Sequence, residues 1–311
     1  MIWIILAALL ALAVVVAVSL AESAVRVQPD KRVAAPDAVG EEVARRHGAL
    51  FQAAEITAGD GTRLRGWWME PEGAREVVLV VHGFTNHRQG MLRHVEMFLR
   101  NGIAVLVADH RGHGASEGEV VSFGLRESED FRLWCDWVEH HKGVGTFAAF
   151  GQSMGAAVVV LALDRERRLE CVVAEACYTG FVDVAMDRVA DRFRLHRRLG
   201  RILLRPVGEL ALAYARLRYG LRLRRVVPIE AIREARIPVL LVHGSSDGTI
   251  PPDHSRRLHA ANREWTEHWE VEGAAHTTSI EAGGDEYERR VVGWLTRRRG
   301  ENRALARAKR A

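Results

Sequence analysis

Five short apolar runs limit how this chain can fold: "EVVLVVHG" (76–83), "IAVLVAD" (103–109), "TFAAFG" (146–151), "ECVVAEA" (170–176) and "IPVLLVHG" (237–244). Each is continuous rather than alternating, the pattern of a strand buried on both faces. Helical spacing fills the gaps between them. In "HRQGMLRHVEMFLRNG", Met91, Val95, Phe98 and Leu99 share one side and Gly102 marks a stop, and "RESEDFRLWCDWVEHH" is a second such stretch. Strand, helix, strand, helix predicts an α/β fold with a mostly parallel central sheet and helices on both faces. Ligand sites in such sheets lie at the carboxyl ends of the strands. "EHWEVEG" (267–273) adds a late strand, and "FQAAEIT", "GDG", "RLRGWWME" predicts an early hairpin with an Asp-Gly turn.

At 311 residues, 48% hydrophobic and 27% charged, the chain can bury a sizeable core, and global disorder is excluded. Its first 20 residues, "MIWIILAALLALAVVVAVSL", carry no charge and are long enough for a helix to cross a bilayer. A cleaved signal peptide is the competing reading, with "SLA" at 19–21 as its cleavage site. No Lys or Arg precedes the run, however, and it exceeds the usual apolar core of about 7–15 residues. The expectation is a transmembrane anchor over 1–21, followed by a polar tether over 22–50 with Pro29 and Pro36. The first positive charges, Arg26, Lys31, Arg32, Arg45 and Arg46, all follow the span, which puts the large domain on the cytoplasmic side. That domain is expected over 51–296, with a basic tail over 297–311.

Residues 178–232 separate two strands by more than a crossover needs, so an inserted helical cap is expected there. Arg194, Arg198, Arg201 and Arg205 read as one helical stripe, and Leu195, Leu199 and Ile202 as a second beside it. From Asp187 to Arg225 there are 12 arginines against Asp187, Asp191 and Glu209. This basic cap and the tail suggest an anionic partner. A nucleic acid is not expected, since no recognition motif accompanies the charge. Three cysteines, Cys135, Cys171 and Cys177, make no disulfide framework and are expected as buried thiols.

The chemistry centres on "GQSMG" (151–155), set between a strand and a helix. This is the G-x-S-x-G elbow, in which a sharp turn exposes a serine and glycines relieve the crowding two residues either side. Ser153 is thus the candidate nucleophile, and it needs a base to take its proton. "VEGAAHTTS" supplies His276 beyond a later strand, and "VLLVHGSSDGTIPP" supplies Asp247 to hold the imidazole. Glu175, at the end of the strand after the elbow helix, is a rival acid, and Asp253 is a weaker one. An oxyanion needs preorganised N–H donors. Met154 supplies one, and "HGFTNH" the other, through Phe84 with Thr85 as the alternative; the Phe84 ring is also expected as a pocket wall.

Taken together, "VVHGFTNHR", "DHRGHGASEGE", "SFGLRESEDFRLWCDWV", "GQSMGA", "HGSSDGTIP" and "GAAH" resemble the α/β-hydrolase superfamily, of the serine esterase/lysophospholipase type and its membrane-anchored bacterial form. The resemblance covers about residues 51–296. It implies the α/β-hydrolase fold, makes Asp109, Arg111, His113 and Ser116 scaffold, and excludes branches that use an aspartate nucleophile. No metal-ligand spacing appears, "GHGASEG" is no dinucleotide fingerprint, and no cofactor is expected. The expected activity is cleavage of carboxylic esters, possible lipid-derived ones among them, at the membrane. Thioesterase, acyltransferase and peptidase chemistry on the same triad, or binding without catalysis, are the alternatives. Activity should fall as the imidazole protonates, near the reference value of about 6.5.

Overall fold

The structure, a computed structural model, describes residues 1–27 and 36–308, without the side chains of Arg198 and of 301–308. Pro29, Lys31 and Arg32, and the last residues of the basic tail, lie outside the described residues. Among the described residues eight strands form: β1 (Ala49–Thr57), β2 (Arg63–Pro71), β3 (Glu76–Val81), β4 (Ile103–Ala108), β5 (Phe147–Gln152), β6 (Leu169–Glu175), β7 (Val239–Gly244) and β8 (Thr266–Val271). They make one sheet in the order β1-β2-β4-β3-β5-β6-β7-β8. β1, β2 and β4 pair antiparallel, and all later pairs are parallel. The expected hairpin turn is present: Gly61 has φ 84°, and Asp60 accepts the Thr62 N–H.

Continuous apolar strands imply two buried faces, and the core divides that way. On β3, Val77, Leu79 and Val81 join one hydrophobic cluster, while Val78 and Val80 join the other. The first cluster takes in α4 (Glu127–Lys142), α5 (Met154–Leu161), α9 (Pro228–Glu234) and α10 (Asp253–Ala261). The second takes in α2 (Asp37–Arg46), α3 (Leu92–Arg100) and α11 (Ser279–Ala308, kinked at Gly284). Each large apolar side chain buried this way contributes about 1.5–3 kcal/mol. Cys135, Cys171 and Cys177 are buried free thiols.

The first helix, α1 (Ile2–Val25), is the one helix among the described residues long and apolar enough to cross a membrane; a signal sequence would share those properties. It runs past the expected end of the anchor, and the stretch read as a tether is built into the fold at both ends. Val25 and Val27 are buried, and the Val121 N–H donates to the Val25 carbonyl at 2.8 Å. Further on, α2 is fastened by Trp67 Nε1, which donates to Asp37 Oδ1 at 2.7 Å.

The insertion is helical as expected, comprising α6 (Phe181–Arg192), α7 (Arg197–Leu203) and α8 (Arg205–Tyr219) before α9. The long arginine stripe does not form. Arg194 sits in a left-handed turn at φ 54°, and Pro206 in the first turn of α8 starts a new helix there. Arg201 is paired with Asp187 and Arg197 with Asp191, so part of the cap's charge is spent within the cap.

The basic tail also differs from expectation, because α11 continues through Arg297, Arg298 and Arg299. Arg297 and Arg298 pair with Glu267. The buried Arg299 pairs with Glu76 and Glu170 and donates to the Val77 and Thr146 carbonyls. A planar fork of five donors suits such a site at the amino-terminal ends of the central strands β3, β5 and β6.

Candidate active site

β5 ends at Gln152 and α5 begins at Met154, leaving Ser153 alone in the turn with φ 55° and ψ −115°. A non-glycine residue at such angles is strained by about 1–3 kcal/mol, and its surroundings must hold it there. The Ser153 N–H donates to the Glu175 carbonyl at 2.8 Å. A methyl group at Gly151 would collide with the Gly155 carbonyl, and one at Gly155 with the Val81 and His82 carbonyls. Both glycines are therefore required by the close approach of backbones.

Three expected residues meet at this turn. Ser153 Oγ lies 3.0 Å from His276 Nε2, and His276 Nδ1 lies 2.6 Å from Asp247 Oδ2. With its Nδ1–H donated to the carboxylate, the ring presents Nε2 as an acceptor to the serine hydroxyl. The other Asp247 oxygen accepts the Thr249 and Ile250 N–H groups at 2.8 and 2.9 Å. Burial pushes the Asp247 carboxyl up, but hydrogen bonds from His243, His276 and Ile250 outweigh it and hold it well below the usual carboxylate range. The acid thus stays ionised in a dry setting and can stabilise an imidazolium.

The rival acids stand elsewhere. Glu175 is fully buried behind the elbow, bonded to Tyr287 Oη and to Gln152 Nε2, and Asp253 opens α10. Among the described residues only Ser153 and Asp247 hydrogen-bond the His276 ring.

The loop expected to supply the other oxyanion donor lies against the serine. Thr85 N–H is taken by His113 Nε2 at 3.1 Å, which removes the alternative donor. Gly83 packs on the serine so closely that a methyl there would stand 3.2 Å from Ser153 Cβ. Phe84 follows Gly83 directly in this loop, and Met154 opens α5 immediately after Ser153. Asp109, Arg111, His113 and Ser116 act as scaffold. Asp109 accepts from the Arg88 and Ala115 amides and pairs with the Arg88 guanidinium, Arg111 grips Asp130 and Asp60, and Ser116 ties β2 to Asp109.

Sequence reasoning missed two contributors, and of a third, an aromatic wall, it named Phe84 alone. Gln152 Nε2 donates to the Thr277 carbonyl at 3.3 Å as well as to Glu175, so it ties the residue beside His276 to the elbow. His243 Nε2 lies 3.4 Å from Asp247 Oδ2. An aromatic wall also runs from the loop to the cap, with ring centroids 5.2 Å apart for Phe84 and Phe123 and 4.3 Å for Phe123 and Phe181. Of these, only the apolar character of Phe84 carried a signal in the sequence.

A family model described as serine aminopeptidase, S33, matches residues 72–205. The uncharacterized Mycobacterium tuberculosis protein Rv2307c is 30% identical over 222 residues, 70% of this chain and 69% of that protein. The Arabidopsis thaliana α/β-hydrolase domain-containing protein WAV2 is 24% identical, over 82% and 81% of the two chains. The chain belongs to the α/β-hydrolase superfamily. Among solved structures, the Pyrococcus furiosus esterase Pf2001 superposes on this α/β-hydrolase with a TM-score of 0.68 at 24% identity, over 86% of this chain and 98% of the esterase. At that identity the likeness concerns the fold.

Proposed function

We propose that this α/β-hydrolase is a serine hydrolase of carboxylic esters. The observation that carries the reading is the unbroken hydrogen-bonded line from Ser153 through His276 to Asp247. His276 Nε2 takes the Ser153 proton as Oγ attacks the acyl carbon. The Phe84 and Met154 N–H groups receive the oxyanion. The imidazolium then gives its proton to the leaving alkoxide, and an acyl-serine remains. Water, deprotonated by His276, releases the acid and restores the serine.

The aromatic wall of Phe84, Phe123 and Phe181 favours an apolar acyl group, and the apolar α1 favours a substrate met at a membrane. Lipid-derived esters such as lysophospholipids or monoacylglycerols are therefore the proposed class. Retention of α1 as an anchor is supported by Ala17 and Ala21, which are buried where α1 packs on α8; cleavage at 19–21 would remove them and uncover that face of the cap. Arg26, Arg45 and Arg46 after the span favour a cytoplasmic domain. Anionic lipid is the proposed partner of the cap's remaining arginines.

The matched family's description makes an amide the competing substrate. Full-length protein is treated with a fluorophosphonate and digested, and p-nitrophenyl esters are assayed beside p-nitroanilides. Modification of Ser153, lost in Ser153→Ala, with esters turned over in preference to anilides, is the expected result. Labelling elsewhere, or faster anilide cleavage, would overturn the reading.

A further inference from the structure

We propose that the corner between α7 and α8 is a lipid-binding wedge that enters the same bilayer as α1. This rests on the proposal that α1 is a retained anchor, and the argument is one of length. Ala17, Ala21 and Val25 are buried and Ala13, Val16, Leu20 and Ala24 half-covered, a helical stripe along which α1 packs on α8. At the far end of that contact, Glu22 accepts hydrogen bonds from Tyr214 Oη at 2.7 Å and Tyr219 Oη at 2.5 Å. Arg26 Nε donates to Tyr219 Oη at 3.1 Å. The carboxyl end of α8 therefore lies level with that of α1, and the two helices run side by side in the same direction.

A rise of 1.5 Å per residue leaves only about 18 Å of α1 clear of the cap, from residue 1 to about residue 12. The hydrocarbon core is about 30 Å thick. The charge-free stretch of α1 continues through Leu20, along its contact with α8, so a bilayer that takes up that stretch also reaches the contact. Tyr219 is about 21 Å along α8 from Arg205, which puts the α7–α8 corner level with roughly Leu9–Leu12 of α1.

The residues at that corner suit the position. Ile202 is 71% exposed and Leu203 57%, with Leu199 and Phe193 nearby also uncovered. Arg205, at the same corner, pairs with Glu209 one turn farther along α8 at 3.9 Å. Farther along α8, at the level of the α1 exit, come Tyr214, Arg216, Arg218 and Tyr219, side chains suited to the headgroup layer. Apolar residues thus crowd the tip, and tyrosines and arginines, with the exposed Leu217 among them, follow toward the α1 exit.

The native cysteines are buried, so a thiol-reactive environment-sensitive dye reports introduced sites. Full-length Leu203→Cys, Leu6→Cys and Arg165→Cys are labelled in vesicles of phosphatidylcholine and phosphatidylglycerol. Plain lipid is then exchanged for lipid brominated on its acyl chains. The dye at 203 and the dye at 6 are each expected to lose about half their emission, as for groups at or below the headgroup boundary, and the dye at 165 none. Quenching at 6 without quenching at 203 overturns the wedge and leaves the anchor standing. Quenching at neither overturns both. A blue shift at 203 that brominated lipid does not quench assigns the corner to a second copy or another protein and overturns a lipid occupant.

Discussion

Ser153 is held in a conformation few serines adopt, and the residues around it show what that geometry serves. Its ring partner depends on one carboxylate, Asp247, whose four described contacts leave it ionised in a buried site. Asp247→Asn retains the acceptor for the Thr249 and Ile250 amides but removes the charge and the tautomer control. On this account kcat for ester hydrolysis falls about 10⁴-fold while the melting temperature hardly moves. A drop of less than tenfold would move the acid's role elsewhere. A second residue-scale effect belongs to the buried histidines. Burial above all lowers His110 to about 3, and burial with Arg257 lowers His254 to about 4. In the unfolded chain both titrate near 6.5. Below that value the unfolded state takes up protons the native rings refuse, so stability falls as pH drops from about 6.5 toward 3. His110→Gln, which keeps a donor for the His82 carbonyl, should lessen the loss between pH 6.5 and 4 by roughly 3 kcal/mol in urea titrations. An unchanged slope would mean that His110 is already protonated in the native protein.

At the scale of elements, the sheet and the site at its carboxyl ends were legible, because buried strands and the elbow write themselves in local pattern. Continuous apolar runs named the strands, and Gly151, Ser153 and Gly155 named the turn. What local pattern could not show was which charges meet across the fold. Arg297–Arg299 read as a tail because nothing nearby in sequence pairs with them. Their partners, Glu76, Glu170 and Glu267, lie far back along the chain. The arginine stripe failed for the converse reason: its spacing is helical, but a left-handed turn at Arg194 and the start at Pro206 divide it. Gln152 was passed over as a spacer in the motif, since its partner Thr277 is distant in sequence. Arg299→Ala leaves Glu76 and Glu170 without this cation at the largely buried start of the central strands. Global stability should fall by about 3–5 kcal/mol in denaturant unfolding. A loss under about 1 kcal/mol would return these residues to the status of a surface tail.

On the scale of the whole molecule, two parts meet at the cap. The sheet and its helices present Ser153, His276 and Asp247 at one end. Above them Phe181 starts the insertion against Phe123, and the insertion's last long helix carries α1 along its flank. The apolar N-terminus is thus joined to the insertion, the arrangement expected under the proposal that substrate is met at a membrane. That reading stands or falls with the serine. The most direct measurement is hydrolysis of p-nitrophenyl esters from acetate to palmitate by the full-length protein in detergent, wild type beside Ser153→Ala. The account predicts turnover by the wild type alone, with the variant down by at least about 10³-fold at every chain length. Equal activity in the two proteins would contradict it.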